Sequence, residues 1–308
     1  LATRPVLLYY CTMSLALAEV LLKQTGNSRL SELRKNHNCH GLALSVASEP
    51  KPDESLEAAS AKLIAKAQTG QDGKFKGTFE VWRRSAREYP LPGYSTDVYA
   101  GGSTTEFRML YQPADSELPY LPKTGISLLD CMVNLPYMGE TIQQWGTALK
   151  MIRAKVTAER NTTTSISSNT LIVHPASESL IDLFGSQCKF ASEYVNVLNI
   201  TELPSGYILK WETNQYTPYL SLPHATCINS EDVYFSCSPD NVGEFGYLYV
   251  GMHILGNFAR YYPDFWMKHI AANSPLSNAA DKLCDSALKR LPLLALSELS
   301  RRYHVLEK

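Results

Sequence analysis

The chain has 308 residues, and a chain of about this length buries roughly three quarters of the surface that it exposes when unfolded. Hydrophobic residues make up 44% of it and charged residues 19%. This composition is that of a globular protein and excludes a disordered chain, a collagen-like repeat and a coiled coil. The 29 Lys and Arg residues are balanced by 30 Asp and Glu residues. No global field therefore attracts nucleic acid or anionic lipid, and a site for a polyanion must be local.

The seven cysteines are scattered along the chain, and none forms a Cys-x-x-Cys pair. This spacing is unlike a disulfide framework or a structural zinc site, and it favours the reducing cytoplasm. The apolar segment 5–22 contains Tyr, Thr, Ser and Glu residues and is too polar for a membrane span, so we expect no membrane partner. The sequence lacks the phosphate-loop, dinucleotide-binding, zinc-protease and serine-hydrolase motifs, and we expect no cofactor and no metal.

The amino-terminal part of the chain has a helical pattern. The segment Arg4–Lys23 is apolar on nearly all sides and rich in Leu and Ala, and Pro5 suits the first helical turn. This pattern predicts a buried helix that ends before Gly26. Residues 55–68 predict a second, Ala-rich helix. We assign residues 1–68 to this helical part.

The middle of the chain, residues 69–242, has a different pattern. Aromatic, Thr and Gly residues alternate there in short runs, which is typical of strands and turns. Helical spacing returns within it near residues 126–158. We therefore expect a β-containing middle with a helical segment inside it.

The carboxy-terminal part, residues 243–308, is again helical. Its pattern predicts one long helix broken near Pro263 and another that is kinked or restarted at Pro292. Both helical ends of the chain are too apolar to stand alone, so we expect them to pack together in one compact unit. The predicted fold class is α+β, mainly α with a β-rich insert.

Several short segments, in a consistent order, carry a resemblance to a known family. They are residues 4–10 (RPVLLYY), 40–42 (HGL), 77–79 (GTF), 126–136, 259–266 and 291–299. On these segments the chain resembles the YaaC-like family of bacterial proteins over almost its whole length. The resemblance implies a mainly α fold with a β insert, and it supplies no enzymatic activity.

A second, local resemblance concerns Arg34 and His40. Together with His37 between them, they are similar to the Arg-x(4–6)-His signature of HEPN ribonucleases, which are helical and cut RNA without a metal. The resemblance implies that Arg34 holds the phosphate and that His40, or His37 in its place, moves the proton of a ribose hydroxyl. Lys35 follows Arg34 directly, where that signature usually has a small polar residue.

Simpler interpretations of this segment stay open. His40 and Gly41 can turn a loop or cap a helix, with Arg34 and His37 solvated. A metal held by His37, Cys39 and His40 would need further ligands, and no second cluster of ligands is visible in the sequence.

Four further basic residues are candidates for nucleic-acid binding: Arg153, Lys155, Arg160 and Arg260. The first three lie in the short basic stretch 150–160, for which a solvated face is the simpler interpretation. Arg260 is followed by aromatic residues, which can stack bases beside a guanidinium. The simpler interpretation there is that the aromatic side chains pack in the core.

Two functional hypotheses from different classes follow. In the first, the chain is a metal-independent, HEPN-like RNA-cleaving or nucleic-acid-binding subunit in bacterial antiviral defence, and as an enzyme it would be an endoribonuclease. In the second, it is a non-catalytic scaffold or sensor subunit of a multiprotein complex. The expected partners are RNA or another nucleic acid, a second copy in a homodimer, or a different protein subunit.

Overall fold

The computed structural model of the chain describes residues 2–23, 31, 33, 35, 38–85, 89–112, 121–161, 164, 166–188, 195–203, 206–213, 225–227, 232–240, 242–300 and 304. The chain forms two compact units. The first combines Leu1–Ala86, Leu118–Leu149 and Glu244–Leu299, and the second combines Arg87–Glu117, Lys150–Gly243 and Ser300–Lys308. The expected division of the chain at residues 68 and 242, with its parts in one compact unit, stays a prediction.

The described residues contain both helices and strands. The α-helices are α1 (Arg4–Lys23), α2 (Leu56–Ala61), α3 (Thr78–Ser85), α4 (Leu128–Val133), α5 (Gly139–Gln144), α6 (Glu178–Gln187), α7 (Gly243–Tyr261), α8 (Pro263–Ala271) and α9 (Pro275–Ser300). The β-strands are β1 (Leu42–Val46), β2 (Leu63–Ala67), β3 (Tyr89–Tyr99), β4 (Gly102–Gln112), β5 (Ile126–Ser127), β6 (Met151–Asn161), β7 (Ile166–Val173), β8 (Val195–Leu203), β9 (Gly206–Thr213), β10 (Ala225–Cys227) and β11 (Val233–Ser236). The fold is α+β with helical ends, as the sequence predicted.

The first and last helices of the chain pack together in the first unit. Arg4 of α1 donates hydrogen bonds to Asp281 and Asp285 of α9. Trp266 of α8 donates through its indole N–H to the carbonyl oxygen of Ala2, at 3.1 Å. The predicted association of the amino- and carboxy-terminal helices is therefore confirmed.

A small sheet in the first unit joins distant parts of the chain. Its antiparallel strands have the order β1-β2-β5. Strand β5 leads directly into α4, where the Ser127 hydroxyl accepts from the Asp130 N–H and the Asp130 carboxylate accepts from the Ser127 N–H, both at 3.0 Å. This capping box pairs N–H groups that the helix itself leaves without partners. It fixes the start of α4 against the edge of the sheet.

The second unit is built on a larger, mainly antiparallel sheet. Its described strands have the order β10-β11-β6-β7-β9-β8, while β3 pairs with β6 in parallel and with β4. Strand β6 sends every second side chain into the core: Ile152, Ala154, Val156 and Ala158. On that side Phe184 of α6 is fully buried and its ring lies 5.3 Å from that of Phe235. This helix-on-sheet packing forms the core of the unit.

The helix predicted for residues 55–68 is wrong in its second half. Helix α2 ends at Ala61, and the next residues form strand β2. Alanine favours a helix only weakly, and pairing along the whole of β1 outweighs that preference. Ser55 caps α2, because its hydroxyl accepts from the N–H of Ala58 at 3.2 Å.

Two other assignments need correction. Residues 78–85, which the sequence pattern assigned to strands and turns, form α3, because Phe79, Trp82 and Arg83 are buried at helical spacing. The helical assignment of residues 126–158 fails after α5, since β6 occupies 151–161. Buried and exposed residues alternate strictly from Ile152 to Glu159, and this period of two places the buried side chains on one face of a strand but not of a helix.

The carboxy-terminal helices largely follow the prediction. Helix α7 ends at Tyr261 and α8 begins at Pro263, so the predicted break is confirmed. Helix α9 begins at Pro275 and continues through Pro292 without a restart.

One helix among the described residues, Arg4–Leu22, is long and apolar enough to cross a membrane. Of this segment, 39% is buried inside the structure, and the core helix of a soluble protein meets the same criteria.

Candidate functional site

His40 is half-buried in the loop that precedes β1. The first turn of α3 holds this loop, because the N–H groups of Thr78 and Phe79 donate to the carbonyl oxygens of Cys39 and His40, at 2.9 and 3.1 Å. The Thr78 hydroxyl donates to the same Cys39 oxygen at 3.3 Å. The first N–H groups of a helix have no partners within the helix. The carbonyl groups of the loop supply those partners for α3, and the same hydrogen bonds hold the loop in position.

Two glycines permit this close contact. Gly41 and Gly77 have φ angles of 86° and 99°, which few other residues adopt. A Cβ atom on Gly77 would lie 2.2 Å from the Cα of Gly41, and one on Gly41 would lie 2.9 Å from the carbonyl oxygen of Lys76. The two backbones therefore touch. The HGL and GTF segments, which carried the family resemblance, meet at this contact.

Tyr9 of α1 lies between two histidines. Its ring centroid is 5.4 Å from that of His40 and 5.2 Å from that of His253 in α7, and both are edge contacts. Tyr249, one turn before His253, contacts Tyr9 from another side, with centroids 6.1 Å apart. We call these four residues, Tyr9, His40, Tyr249 and His253, the His40 cluster.

Arg260 lies at the exposed edge of the His40 cluster. Its Nη1 atom donates to the hydroxyl of Tyr10 at 3.0 Å, across 250 residues of sequence. Its guanidinium carbon also lies 5.2 Å from the centroid of the Tyr261 ring, within the range of a cation–π contact. The rings of Tyr9 and Tyr10 are 5.5 Å apart. The guanidinium of Arg260 and the phenol of Tyr10 thus meet at the surface of the first unit, and Tyr9 connects them to the imidazole of His40.

Burial and charge set the protonation states of the His40 cluster. Burial, and then the positive Arg260, lower the pKa of His40 below its ordinary 6.5. Burial, and then the neighbouring His40, lower the pKa of His253 to about 3. Burial raises the pKa of Tyr9 and of Tyr249. Near neutral pH both imidazoles are therefore neutral and both phenols keep their protons.

The buried His253 predicts a pH-dependent stability. The unfolded chain binds a proton on this histidine below about pH 6.5, whereas the folded chain stays neutral until about pH 3. The free energy of unfolding is therefore highest above pH 6.5, and this group lowers it by on the order of 1 kcal/mol per pH unit as the pH falls towards 3. Urea unfolding at pH 7 and pH 5 measures the difference.

The variant His253→Leu isolates this effect. It removes the titrating group, while Asn257 keeps its 2.8 Å hydrogen bond to the backbone carbonyl of residue 253. The variant should lose less stability than wild type between pH 7 and pH 5. Some loss remains in both proteins, because burial also lowers the pKa of His269. Equal losses in the two proteins would contradict the prediction.

Two of the predicted site residues come together here, and two fall outside the described part of the chain. His40 and Arg260 are close enough for the charge of Arg260 to lower the pKa of His40. Arg34 and His37 lie outside the described residues. Core packing was expected of the aromatic side chains that follow Arg260. Trp266 is 5% exposed and packs in this way, whereas Tyr261 is 61% exposed.

The other predicted basic residues belong to strand β6 of the second unit. Arg153 and Lys155 have exposed side chains. Arg153 donates from Nη2 to the buried carboxylate of Asp232 at 2.5 Å. The side chain of Arg160 lies outside the described part. The carboxylate of Asp232 competes with any phosphate for Arg153, which leaves Lys155 as the better-placed cation of this pair.

Sequence reasoning missed Tyr9, Tyr10, Tyr249 and His253. A signal existed for the first two, because both lie in the RPVLLYY segment that carried the family resemblance. Tyr249 and His253 lie within an apolar helix, where such residues usually serve packing alone. Only the contacts of α7 with α1 and the His40 loop reveal their place in the cluster.

The chemistry available at this site is proton transfer beside a fixed positive charge. A neutral imidazole accepts a proton, and a guanidinium binds phosphate oxygens through several donors. In the described part of the chain, no three His, Cys, Asp or Glu side chains form a group that could hold a metal ion.

The fold is α+β, and the candidate site combines the His40 loop with helices α1 and α7. The sequence model of the family described as YaaC-like Protein matches residues 1–299. The chain therefore belongs to the YaaC-like family, as its sequence indicated. No curated protein and no solved structure matches the chain.

Proposed function

We propose that this YaaC-like protein is an endoribonuclease that cleaves RNA without a metal ion. The observation that carries the proposal is geometric. The half-buried ring of His40 lies 5.4 Å from that of Tyr9, and the next residue, Tyr10, accepts a hydrogen bond from the exposed guanidinium of Arg260 at 3.0 Å. The imidazole and the guanidinium are the minimum that such a reaction needs, since RNA supplies its own nucleophile, the ribose 2′-hydroxyl.

In the proposed reaction, His40 accepts the proton of the 2′-hydroxyl as this oxygen attacks the adjacent phosphorus. Arg260 stabilises the negative charge that develops on the phosphate oxygens. The lowered pKa of His40 keeps the base unprotonated near neutral pH. The products are a 2′,3′-cyclic phosphate and a new 5′-hydroxyl end.

Arg34 and His37 remain part of the proposal through the resemblance to the HEPN signature. Arg34 serves as a second phosphate contact, and His37 is the substitute for the imidazole of His40. We extend the proposal to the bacterial cytoplasm and to antiviral defence, where HEPN-like proteins often act. A second copy of the chain or another protein subunit is the proposed protein partner.

The test is digestion of mixed RNA by the purified protein in EDTA. Wild type should cut RNA, and His40→Ala should cut it more slowly by on the order of 10² to 10⁴-fold, as expected for loss of a general base. Arg260→Gln should lose roughly 10² to 10³-fold, because a charged donor to the phosphate is gone. Lys268→Met is the control, since it removes an exposed lysine whose partner is Glu49.

The pH dependence gives a second measurement. His40 must be neutral to act as a base, so cleavage should fall as the pH drops through the lowered pKa of His40. Arg260→Gln removes one cause of this lowering and should move the acidic limb towards pH 6.5. An NMR titration of His40 follows the same shift without any substrate.

A different outcome would favour the second hypothesis. If wild type, correctly folded and supplied with the products of neighbouring genes, cuts no RNA in EDTA, the nuclease assignment is wrong. A scaffold or sensor subunit then becomes the better assignment, and the His40 cluster is a structural element of the first unit. If both His40→Ala and Arg260→Gln still cut RNA at the wild-type rate, another site must carry the activity.

A further inference from the structure

Tyr10 presents a hydroxyl group at the exposed edge of the His40 cluster. Its oxygen accepts a hydrogen bond from Nη1 of Arg260 at 3.0 Å. The side chain is 39% exposed, so a substrate can reach this oxygen. The O–H of Tyr10 has no acceptor in the part of the chain that the structure describes. A phenol with a cation at its oxygen and an uncommitted proton therefore lies next to Tyr9, whose ring contacts that of the proposed base, His40.

Cleavage of RNA requires two proton transfers. The proposed role of His40 accounts for one, the removal of the 2′-hydroxyl proton. The departing 5′-oxygen is a poor leaving group unless a second group supplies a proton as the P–O bond breaks. Tyrosine carries its proton at neutral pH and can serve as this donor.

We infer that Tyr10 is the general acid of the proposed reaction, an inference that rests on the proposed function. The O–H bond of Tyr10 breaks and its proton passes to the 5′-oxygen, while the P–O electron pair stays on that oxygen. The phenolate that remains is stabilised by the guanidinium of Arg260. The proton that His40 took from the 2′-hydroxyl then returns to Tyr10 through water, so the enzyme ends the cycle unchanged.

The neighbouring groups fit this role less well. Tyr9 and Tyr249 are 3% and 0% exposed, so a substrate oxygen cannot reach them. His253 is fully buried as well. Tyr261 is exposed, but Arg260 contacts the face of its ring and not its hydroxyl. Tyr10, in contrast, is exposed, and its hydroxyl oxygen accepts a hydrogen bond from the guanidinium of Arg260.

A change of leaving group tests the inference. One RNA oligonucleotide, spanning a cleavage site mapped in the mixed-RNA digest, is prepared with either oxygen or a bridging sulfur at the 5′ position of that site. A thiolate leaves without a proton, so the sulfur substrate needs no general acid. Tyr10→Phe should cut the oxygen substrate at least about 10²-fold more slowly than wild type and the sulfur substrate at nearly the wild-type rate.

Two variants control this experiment. Tyr99→Phe changes another exposed tyrosine, in the second unit and 49% exposed, and should cut both substrates as wild type does. His40→Ala should slow both substrates, because the 2′-hydroxyl must lose its proton with either leaving group.

The possible outcomes separate the inference from the proposed function. If Tyr10→Phe slows both substrates equally, Tyr10 only positions Arg260 or the RNA, and the general-acid assignment is wrong. If Tyr10→Phe cuts both at the wild-type rate, the assignment fails while the nuclease proposal stands. Wild type that cuts no RNA overturns the proposed function and this inference together.

Discussion

Replacing Gly77 with alanine is expected to lower the free energy of unfolding of the first unit by roughly 3 kcal/mol or more. The added Cβ would lie 2.2 Å from the Cα of Gly41, so one backbone must move. The φ angle of 99° adds strain of about 1 to 2 kcal/mol for any residue with a Cβ. Urea unfolding measures the loss, and the NMR signals of His40 should shift because its loop is displaced.

Gly73→Ala is the matched control for Gly77→Ala. Gly73 also has a left-handed backbone, with φ at 75°, but nothing lies within 4 Å of an added Cβ. Its replacement should cost only the strain, about 1 kcal/mol, and leave the signals of His40 unchanged. Equal losses in the two variants would mean that the contact between Gly41 and Gly77 contributes nothing beyond backbone strain.

Arg290→Met should destabilise the first unit by about 3 to 5 kcal/mol. Arg290 of α9 and Glu244 of α7 form a two-bond ion pair, with Nε–Oε1 at 2.7 Å and Nη2–Oε2 at 2.9 Å. Their side chains are only 8% and 5% exposed. Removal of the guanidinium leaves a buried carboxylate without this partner, which costs far more than the lost attraction alone. Denaturant unfolding at pH 7 measures the effect.

Two further variants separate burial from charge. Lys268→Met breaks the ion pair with Glu49, whose side chains are 58% and 41% exposed, and should cost at most about 1 kcal/mol. Adding Glu244→Leu to Arg290→Met should recover much of the lost stability, because the buried charge is gone. If Arg290→Met costs no more than Lys268→Met, the buried pair does not hold α7 and α9 together.

The long apolar helices could be predicted from the sequence, because their cause is local. Helix α1 has the predicted bounds, and the break at Pro263 follows from the missing N–H of proline. Strand β2 and helix α3 could not be predicted in this way. The Ala-rich β2 forms by pairing with β1, and α3 begins where the carbonyl groups of Cys39 and His40 accept its first N–H groups. In both cases distant partners outweigh local preference.

The candidate site was predictable in its parts and not as a whole. His40 and Arg260 drew attention as residue types that suit phosphate chemistry, each within its own short motif. Their place in one candidate site depends on the packing of α1 against α7 and the His40 loop, which no local pattern contains. The hydrogen bond from Arg260 to Tyr10 joins residues that are 250 positions apart in the sequence. It makes Tyr10 part of the candidate site, which the sequence around Tyr10 did not suggest.

The first unit is assembled from both ends of the chain, and this affects how the protein is made. A ribosome that adds about 5 to 20 residues per second needs about 12 to 50 s to make the 250 residues from Tyr10 to Arg260. Throughout that time α1 has no α7 or α9 to cover its apolar side chains. The strands of the second unit, β3, β4 and β6–β11, are synthesised meanwhile and can pair before α1 meets its partners. Newly made chains therefore pass through a stage in which α1 needs protection from aggregation, by the ribosome surface or by a chaperone.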